Sequence, residues 1–405
     1  MSNFLPVEEQ MKILMSGTEF GEDALRKRME GELRARLSEG RSIRVYLGVD
    51  PTSPDIHLGH TVPLRKLKQF QDLGHEVIFL IGTFTALIGD PSDKDKSRPQ
   101  KAWAEIQENI KTYTTQAFKI LDPDKTLIRY NGDWLNKMNF ADVVRLAANF
   151  TVQQFLQRDN FSKRHESGSP IFLHEFFYAL AQGHDAVALE TDVQLGGTDQ
   201  TFNILAGRTL QERAGQKPQI LLTFPMLPGT DGTVKMSKSL GNAIGINTTP
   251  QDMYGKLMSI PDHAMPTYYR LLTRFHPDEV DHYMKQVEQG AIHPRDAKMR
   301  LAREITTIFH GEEGGKAGEE HFVRVFRQKK LPDNMPERVI SEPIGLLSLI
   351  REAGFIKSNK EARRLIKQKA VKVDDEAITD SNLMIQPADD VRILRVGKRK
   401  FLKLL

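Results

Sequence analysis

Between Ile43 and about Phe224, short apolar runs alternate with longer segments of helical period, and this predicts an α/β fold: a Rossmann-like parallel sheet with helices between its strands. Two further observations complete the outline. From about Pro250 to Gln328 the pattern is almost wholly helical, and beyond a proline-bearing stretch residues 343–405 mix helical and strand periods as a small α+β module. The expected divisions are 1–233 for the sheet with its N-terminal helices, 234–328 for a lysine-rich loop and a helical domain, 329–342 for a linker and 343–405 for the module.

Two amphipathic helices, Glu8 to Met15 and Glu22 to Leu37, precede the sheet. Ile43 to Val49, Val77 to Ile81 and Ile220 to Leu222 read as buried strands because their apolar residues run on without alternation; Thr126 to Ile128 and Val187 to Leu189 are weaker candidates. Lys101 to Leu121 places Ala102, Ile106, Ile110, Tyr113, Ala117 and Leu121 on one stripe and reads as a helix. Strands joined through helices put a ligand crevice at their carboxyl ends. In the later helical region, Gly311 to Gly315 forms a break. Pro332, Pro336 and Pro343 stiffen the linker. In the module, Gly345 to Ala353 and Ser358 to Lys369 read as helices, the second opened by Ser358-Asn359-Lys360-Glu361 in the form of a capping box, and Val371/Val373 and Val391/Ile393 read as strands.

The 405 residues contain no cysteine, which excludes disulfides, thiolate nucleophiles and cysteine-based zinc sites and fits a cytoplasmic protein. No apolar run reaches the ~18 residues of a membrane span, so neither export nor anchoring is expected. Net charge is +4, yet residues 343–405 alone carry 14 Lys/Arg against 8 Asp/Glu. A basic tail on a near-neutral body points to a polyanion such as RNA or DNA, with a solvated surface as the alternative.

His57-Leu58-Gly59-His60 reads as the start of a helix entered from the turn Asp50 to Asp55, and the three-residue spacing puts both imidazoles on one face. Lys235-Met236-Ser237-Lys238-Ser239 follows a Gly-Thr-Asp-Gly turn, so its lysines ride on a loop. Helix-terminal amides, imidazoles and loop ammoniums are what a protein needs around a triphosphate whose α-phosphorus is displaced. Taken singly, the histidines could be surface residues or zinc ligands and the lysines a solvated loop.

Five segments in order give the chain a resemblance along essentially its whole length to the bacterial tyrosyl-tRNA synthetases, class I aminoacyl-tRNA synthetases. They are Tyr46 to Thr52 leading into His57 to His60, Leu87 to Ser92, Tyr178 to Asp185, Gln194 to Gln200, and Lys235 to Ser239. The tail resembles the small RNA-binding module of a ribosomal protein. The resemblance implies ATP-dependent formation of tyrosyl-adenylate with release of pyrophosphate, then transfer of tyrosine to the terminal ribose of tRNA(Tyr). It also implies a homodimer, Mg²⁺ arriving with ATP, and no tightly bound protein metal.

Carried over residue by residue, the resemblance makes His57, His60, Lys235 and Lys238 catalytic. Asp50, Thr52, Gly59, Gly197, Asp199, Met236, Ser237 and Ser239 would bind ATP, with Lys94 and Arg98 as further cations. Tyr46 and Asp185 would bond the phenolic hydroxyl; Asp90, Tyr178 and Gln182 would hold the α-ammonium, with Gln200 close to the carboxylate; Gln194 would also bind tyrosine. Arg363, Arg364, Lys367, Lys369, Arg399 and Lys400 would meet tRNA phosphates. Asp185 stands out without any resemblance, since a carboxylate in an apolar helical stretch must find a partner or lie exposed. Two other readings remain: a tryptophan synthetase of the same fold, disfavoured by Tyr46 and Asp185, and a non-catalytic RNA-binding protein, which would have no use for the histidines and loop lysines.

Overall fold

The computed structural model describes residues 4–51, 55–92, 103–327, 335–356, 358–374, 376–388, 390–397 and 400–405. Thr52, Lys94, Arg98, Pro332 and Arg399 lie outside the described residues. The chain forms two compact units, Met1–Glu319 and Glu320–Leu405.

In the first unit five strands, β1 (Arg44–Val49), β2 (Glu76–Ile81), β3 (Thr126–Tyr130), β4 (Val193–Gly197) and β5 (Ile220–Phe224), make one sheet in the order β3-β2-β1-β4-β5. Every pairing is parallel. β2 and β5 are buried on both faces, which is why they read as unbroken apolar runs, whereas edge strand β3 is largely exposed and its signal is weak. The chain first lays β2 and β3 on one side of β1 and then β4 and β5 on the other. The strand order therefore reverses between β1 and β4, and the loops leaving their carboxyl ends diverge into a crevice.

The expected strand at Val187 to Leu189 is instead the last turn of the Leu173–Leu189 helix, ended by Glu190 in a left-handed conformation with φ 49°. The fourth strand comes directly after it, at Val193–Gly197. A β-branched Val187 at the end of an apolar helix imitates a strand, and the two glycines of β4 disguise a real one. The expected break at 311–315 contracts to one residue. Gly311, with φ +73°, kinks the helical segment Pro294–Phe322, and Glu312 to Gly315 continue as helix. At Gly318 a side chain would stand 2.9 Å from the Pro250 carbonyl and from Tyr254 Cβ, so this glycine permits close helix contact.

The second unit has its own core, including Leu346, Leu349, Ile350, Ile366, Val371, Leu394 and Leu402. Helices Leu346–Glu352 and Asn359–Lys367 accompany a sheet of β6 (Glu337–Arg338), β8 (Val371–Val373), β9 (Glu376–Ala377), β11 (Arg392–Val396) and β12 (Lys400–Leu404), while β7 (Ile344–Gly345) pairs with β10 (Met384–Ile385). Ser358 Oγ caps its helix by accepting from Glu361 N at 3.3 Å. β6 lies where a linker was expected, pairing in parallel with β12. A two-residue strand at a sheet edge leaves no periodic trace in sequence.

Candidate active site

The crevice at the carboxyl ends of β1 and β4 is a cavity of about 410 Å³, and both signature strings reach it. His57, Gly59 and His60 line it from one side and Lys235, Met236 and Ser237 from another, with Asp50, Gly197 and Asp199 at the strand ends. Tyr46, Asp90, Tyr178, Gln182, Asp185, Gln194 and Gln200 line the same space.

The Leu58–Asp72 helix places the two imidazoles. His57 is its N-cap: its Nδ1 accepts from Gly59 N at 3.2 Å, while His60 Nδ1 accepts from His57 N at 3.2 Å. This is a capping box built from histidines, with ring centroids 3.8 Å apart. Because each Nδ1 is an acceptor, a neutral ring carries its proton on Nε2, which leaves two N–H donors for a ligand. Removal from water, with the charges of His60 and Lys238, pushes His57 down to about 3. The His60 ring keeps contact with solvent and is shifted in the same direction, by burial first and Lys238 second. These are neutral donors at physiological pH. Gly59 leaves room for this arrangement: a Cβ there would sit 3.0 Å from the His57 ring, close enough to press on it.

The inner part of the cavity is a connected polar network. Tyr178 Oη donates to Asp50 Oδ2 at 2.9 Å and Thr85 Oγ1 to Asp50 Oδ1 at 2.7 Å. Asn131 Nδ2 donates to Thr85 Oγ1 at 3.0 Å and to Asp185 Oδ2 at 3.2 Å, and Trp134 Nε1 donates to Asp185 Oδ1 at 2.8 Å. Asp185 is 2 % exposed, and burial pushes its carboxyl up to about 8 against the pull of these two donors, Asp50 adding to the rise. It is therefore largely protonated near neutrality. Beside it, the Tyr46 hydroxyl is fully buried and, among the described residues, has no partner that meets hydrogen-bond geometry, although Gln219 stands next to it. Burial, then Asp185, holds this phenol well above its usual range. Gln182 Oε1 is likewise buried without a partner among the described residues. A buried polar atom left unpaired costs about 1–3 kcal/mol, so the cavity is prepared for a ligand that brings polar groups to these points.

Gln200 Nε2 bridges Asp90 Oδ2 at 2.9 Å and Asp199 Oδ2 at 3.0 Å. Gln194 is buried, its Oε1 accepting from Gln219 at 2.6 Å. Beneath Asp90, the buried Arg158 donates to Ser92 Oγ at 2.8 Å and Asn160 to the Pro91 carbonyl at 2.8 Å, fixing the 90–92 turn. The lysine loop is divided. Lys235 lines the cavity, but Lys238 pairs with Asp55 at 2.9 Å and, like Ser239, whose hydroxyl meets Ser237 Oγ at 2.9 Å, is not among the lining residues.

Of the residues expected to meet RNA, Arg363, Arg364 and Lys367 stand exposed on one helix and Lys369 just past its end. Lys400 is also exposed, and its ammonium donates one bond to the Phe355 carbonyl. Thr85, Asn131, Trp134 and Arg158 escaped the sequence reading. Trp134, one of only two tryptophans in the chain, carried the best available hint, because a buried indole N–H needs an acceptor.

With this geometry in hand, the chain compares closely with known proteins. Residues 38–327 match the family described as tRNA synthetases class I (W and Y), and residues 327–404 match a tyrosine–tRNA ligase C-terminal domain. The tyrosine–tRNA ligase of Carboxydothermus hydrogenoformans is 50% identical over 99% of this chain and 99% of its own length, and that of Thermotoga maritima 51% identical over 98% and 97%. Among solved structures, a C-terminally truncated mitochondrial tyrosyl-tRNA synthetase of Aspergillus nidulans superposes with a TM-score of 0.62 at 25% identity, over 79% of this chain and 94% of that one. The fold is also that of an Archaeoglobus fulgidus tyrosyl-tRNA synthetase complexed with L-tyrosine, with a TM-score of 0.61 at 21% identity over 78% and 100%. A parallel sheet with two histidines and a loop lysine at its switch point, and relatives of this identity along its whole length, lead to one conclusion: the chain belongs to the class I tRNA synthetases (W and Y), on the branch of the tyrosine–tRNA ligases.

Proposed function

We propose that this protein activates L-tyrosine with ATP to tyrosyl-adenylate and pyrophosphate, and then transfers tyrosine to the 3′-terminal adenosine of tRNA(Tyr) in the cytoplasm. One observation carries the reading: the paired imidazoles and Lys235 wall the same cavity as the buried Tyr46–Asp185 pair. In this scheme the tyrosine phenol meets the hydroxyl of Tyr46 and the carboxyl of Asp185, while its ammonium meets Asp90, Tyr178 and the free carbonyl of Gln182. Its carboxylate attacks the α-phosphorus of ATP directly. The Nε2–H groups of His57 and His60 donate to the five-coordinate phosphoryl oxygens, and Lys235 and Lys238 take up the charge on departing pyrophosphate. No side chain forms a covalent bond. Mg²⁺ comes with the triphosphate as part of the substrate; among the described residues no group of three or more His, Cys, Asp or Glu is placed to hold a metal.

Discrimination against phenylalanine follows from the Tyr46 hydroxyl, which stays unpaired unless the substrate carries a hydroxyl, and from the protonated Asp185 carboxyl, whose O–H asks for an acceptor there. An indole offers one N–H donor and no acceptor, so it suits this pair less well than a phenol does. Arg363, Arg364, Lys367 and Lys369 supply tRNA phosphate contacts in the 343–405 module. The homodimer is also part of this reading. Phe140, Val144, Val152, Phe172 and Leu173, all exposed within one stretch of the first unit, offer a second copy an apolar face. Tyrosine-dependent exchange of pyrophosphate into ATP tests the proposal. Tyrosine should support it and tryptophan should not; exchange with neither, or with tryptophan alone, sinks it. Deleting residues 343–405 should spare exchange and weaken tRNA charging.

A further inference from the structure

We propose that Asn242, beyond the lysine loop in sequence, is a positioning residue that holds Lys235 at the cavity wall, an inference that rests on the phosphate role given above to the loop. Asn242 is 6 % exposed although it belongs to a surface segment. Its Nδ2 donates to Asp231 Oδ2 at 2.5 Å, to the Lys235 carbonyl at 3.2 Å and to the Val234 carbonyl at 3.4 Å. Its Oδ1 accepts from Ser237 N at 2.8 Å, and its own carbonyl accepts from Thr230 N at 2.9 Å. One amide thus ties down the main chain on both sides of Lys235 and Met236.

Asp231 extends the clip, its Oδ1 accepting from Thr233 N at 2.8 Å and Val234 N at 2.7 Å. The packing leaves no room to spare: a Cβ on Gly229 would lie 2.3 Å from Asn242 Cγ. The chemistry demands an amide. The side chain must donate to a carboxylate and to carbonyls while accepting from a backbone N–H, which neither a carboxylate nor an alkyl group of that size can do. The clip reaches only part of the loop. Lys238 lies beyond it and rests on Asp55 in a pair whose side chains are 43% and 60% exposed, so a triphosphate can replace Asp55 without disturbing Lys235. Asn242 therefore holds one lysine in place and leaves the other to follow the leaving group.

The test uses the full-length protein, with Asn242→Ala, Asn242→Asp and Lys235→Ala compared in tyrosine-dependent ATP–pyrophosphate exchange. Tyrosine affinity is followed in parallel by tryptophan fluorescence. For Asn242→Ala the expected result is a loss of about ten- to a hundredfold in exchange kcat, since a small misplacement of a charge-stabilising group is enough for that. Pyrophosphate KM in the reverse reaction should rise, and tyrosine affinity should stay within about twofold. Asn242→Asp keeps the acceptor for Ser237 N but sets a second carboxylate against Asp231, so its loss should be relieved as pH falls and the pair takes up a proton. A side chain that merely filled space would give no such pH dependence. Unchanged exchange in Asn242→Ala, a pH-independent loss in Asn242→Asp, or a parallel collapse of tyrosine affinity overturns the proposal. If Lys235→Ala alone loses exchange, only the clip is wrong; if neither substitution affects exchange, the phosphate role of the loop fails with it.

Discussion

The inner network and the histidine–lysine rim of the cavity solve the problem of charge in opposite ways. Inside, Asp185 is almost wholly removed from water, held by Trp134 and Asn131, and kept protonated to about 8. At the rim, Lys238 keeps 43% of its side-chain surface in solvent and shares its charge with an exposed Asp55. Burial makes each inner hydrogen bond costly to lose and therefore selective. Exposure makes the charge of Lys238 cheap to move, which suits a group that, in the proposed reaction, follows a departing pyrophosphate. In the proposed reaction, one cavity would read its amino acid with a buried, fixed shell and meet phosphate at a rim that includes one movable lysine.

The sharpest way to break this contrast is to attack each part separately. Lys235→Ala should lower exchange kcat by about 10²–10³-fold while tyrosine binding changes by less than about twofold, as measured by exchange kinetics and equilibrium titration. Asp185→Ala removes the carboxyl proposed to bond the substrate phenol, a hydrogen bond whose loss at a buried site costs about 1–3 kcal/mol, so tyrosine KM should rise by roughly ten- to a hundredfold. Equal damage to tyrosine affinity in both variants would abolish the distinction. Ionic strength gives a gentler test. Raising salt from about 0.05 to 0.5 M should increase ATP KM several-fold and leave tyrosine KM nearly unchanged, because only the rim charges are screened.

Two pH effects sharpen the comparison further. The Asp185 pKa is raised from 3.8 to about 8, so between those values the folded state holds a proton that the unfolded chain has lost. Its contribution to stability is therefore lost as pH rises through that window and is flat above about 8. Denaturant titrations should find a slope of up to ~1.4 kcal/mol per pH unit that disappears in Asp185→Asn. The rim should stay silent. With His57 held near 3, exchange kcat should show no histidine-like inflection between pH 6 and 8, and an inflection removed by His57→Gln would contradict the neutral-donor role.

How legible this was in sequence differs from element to element. β1, β2 and β5 announced themselves because strands buried on both faces must be apolar throughout. The fourth strand did not, since Val193-Gln194-Leu195-Gly196-Gly197 carries a buried glutamine and two glycines that serve the cavity rather than the core. Asp185 could be singled out as a charge with no excuse among apolar neighbours, but its partners Trp134 and Asn131 lie more than fifty positions earlier and look like an ordinary turn and a helical residue. Lys400 reads as a surface cation and is exposed, but only folding adds the bond from its ammonium to the Phe355 carbonyl.

The sequence by itself determined the chemical inventory: a parallel sheet with helices between its strands, two imidazoles three residues apart, a lysine-rich loop, a basic tail and no thiol. Periodicity and residue type are local properties, and they survive without coordinates. Tertiary structure alone decided which of these groups are charged, which are already engaged and which wait for a ligand. The proton on Asp185 and the resting place of Lys238 depend on distances of about 3 Å between residues more than fifty positions apart, while the Nε2–H of each histidine and the grip of Asn242 depend on how a short stretch of chain is folded against itself. Burial and hydrogen bonding at that range set pKa and donor direction, and the chain acquires them only when it folds.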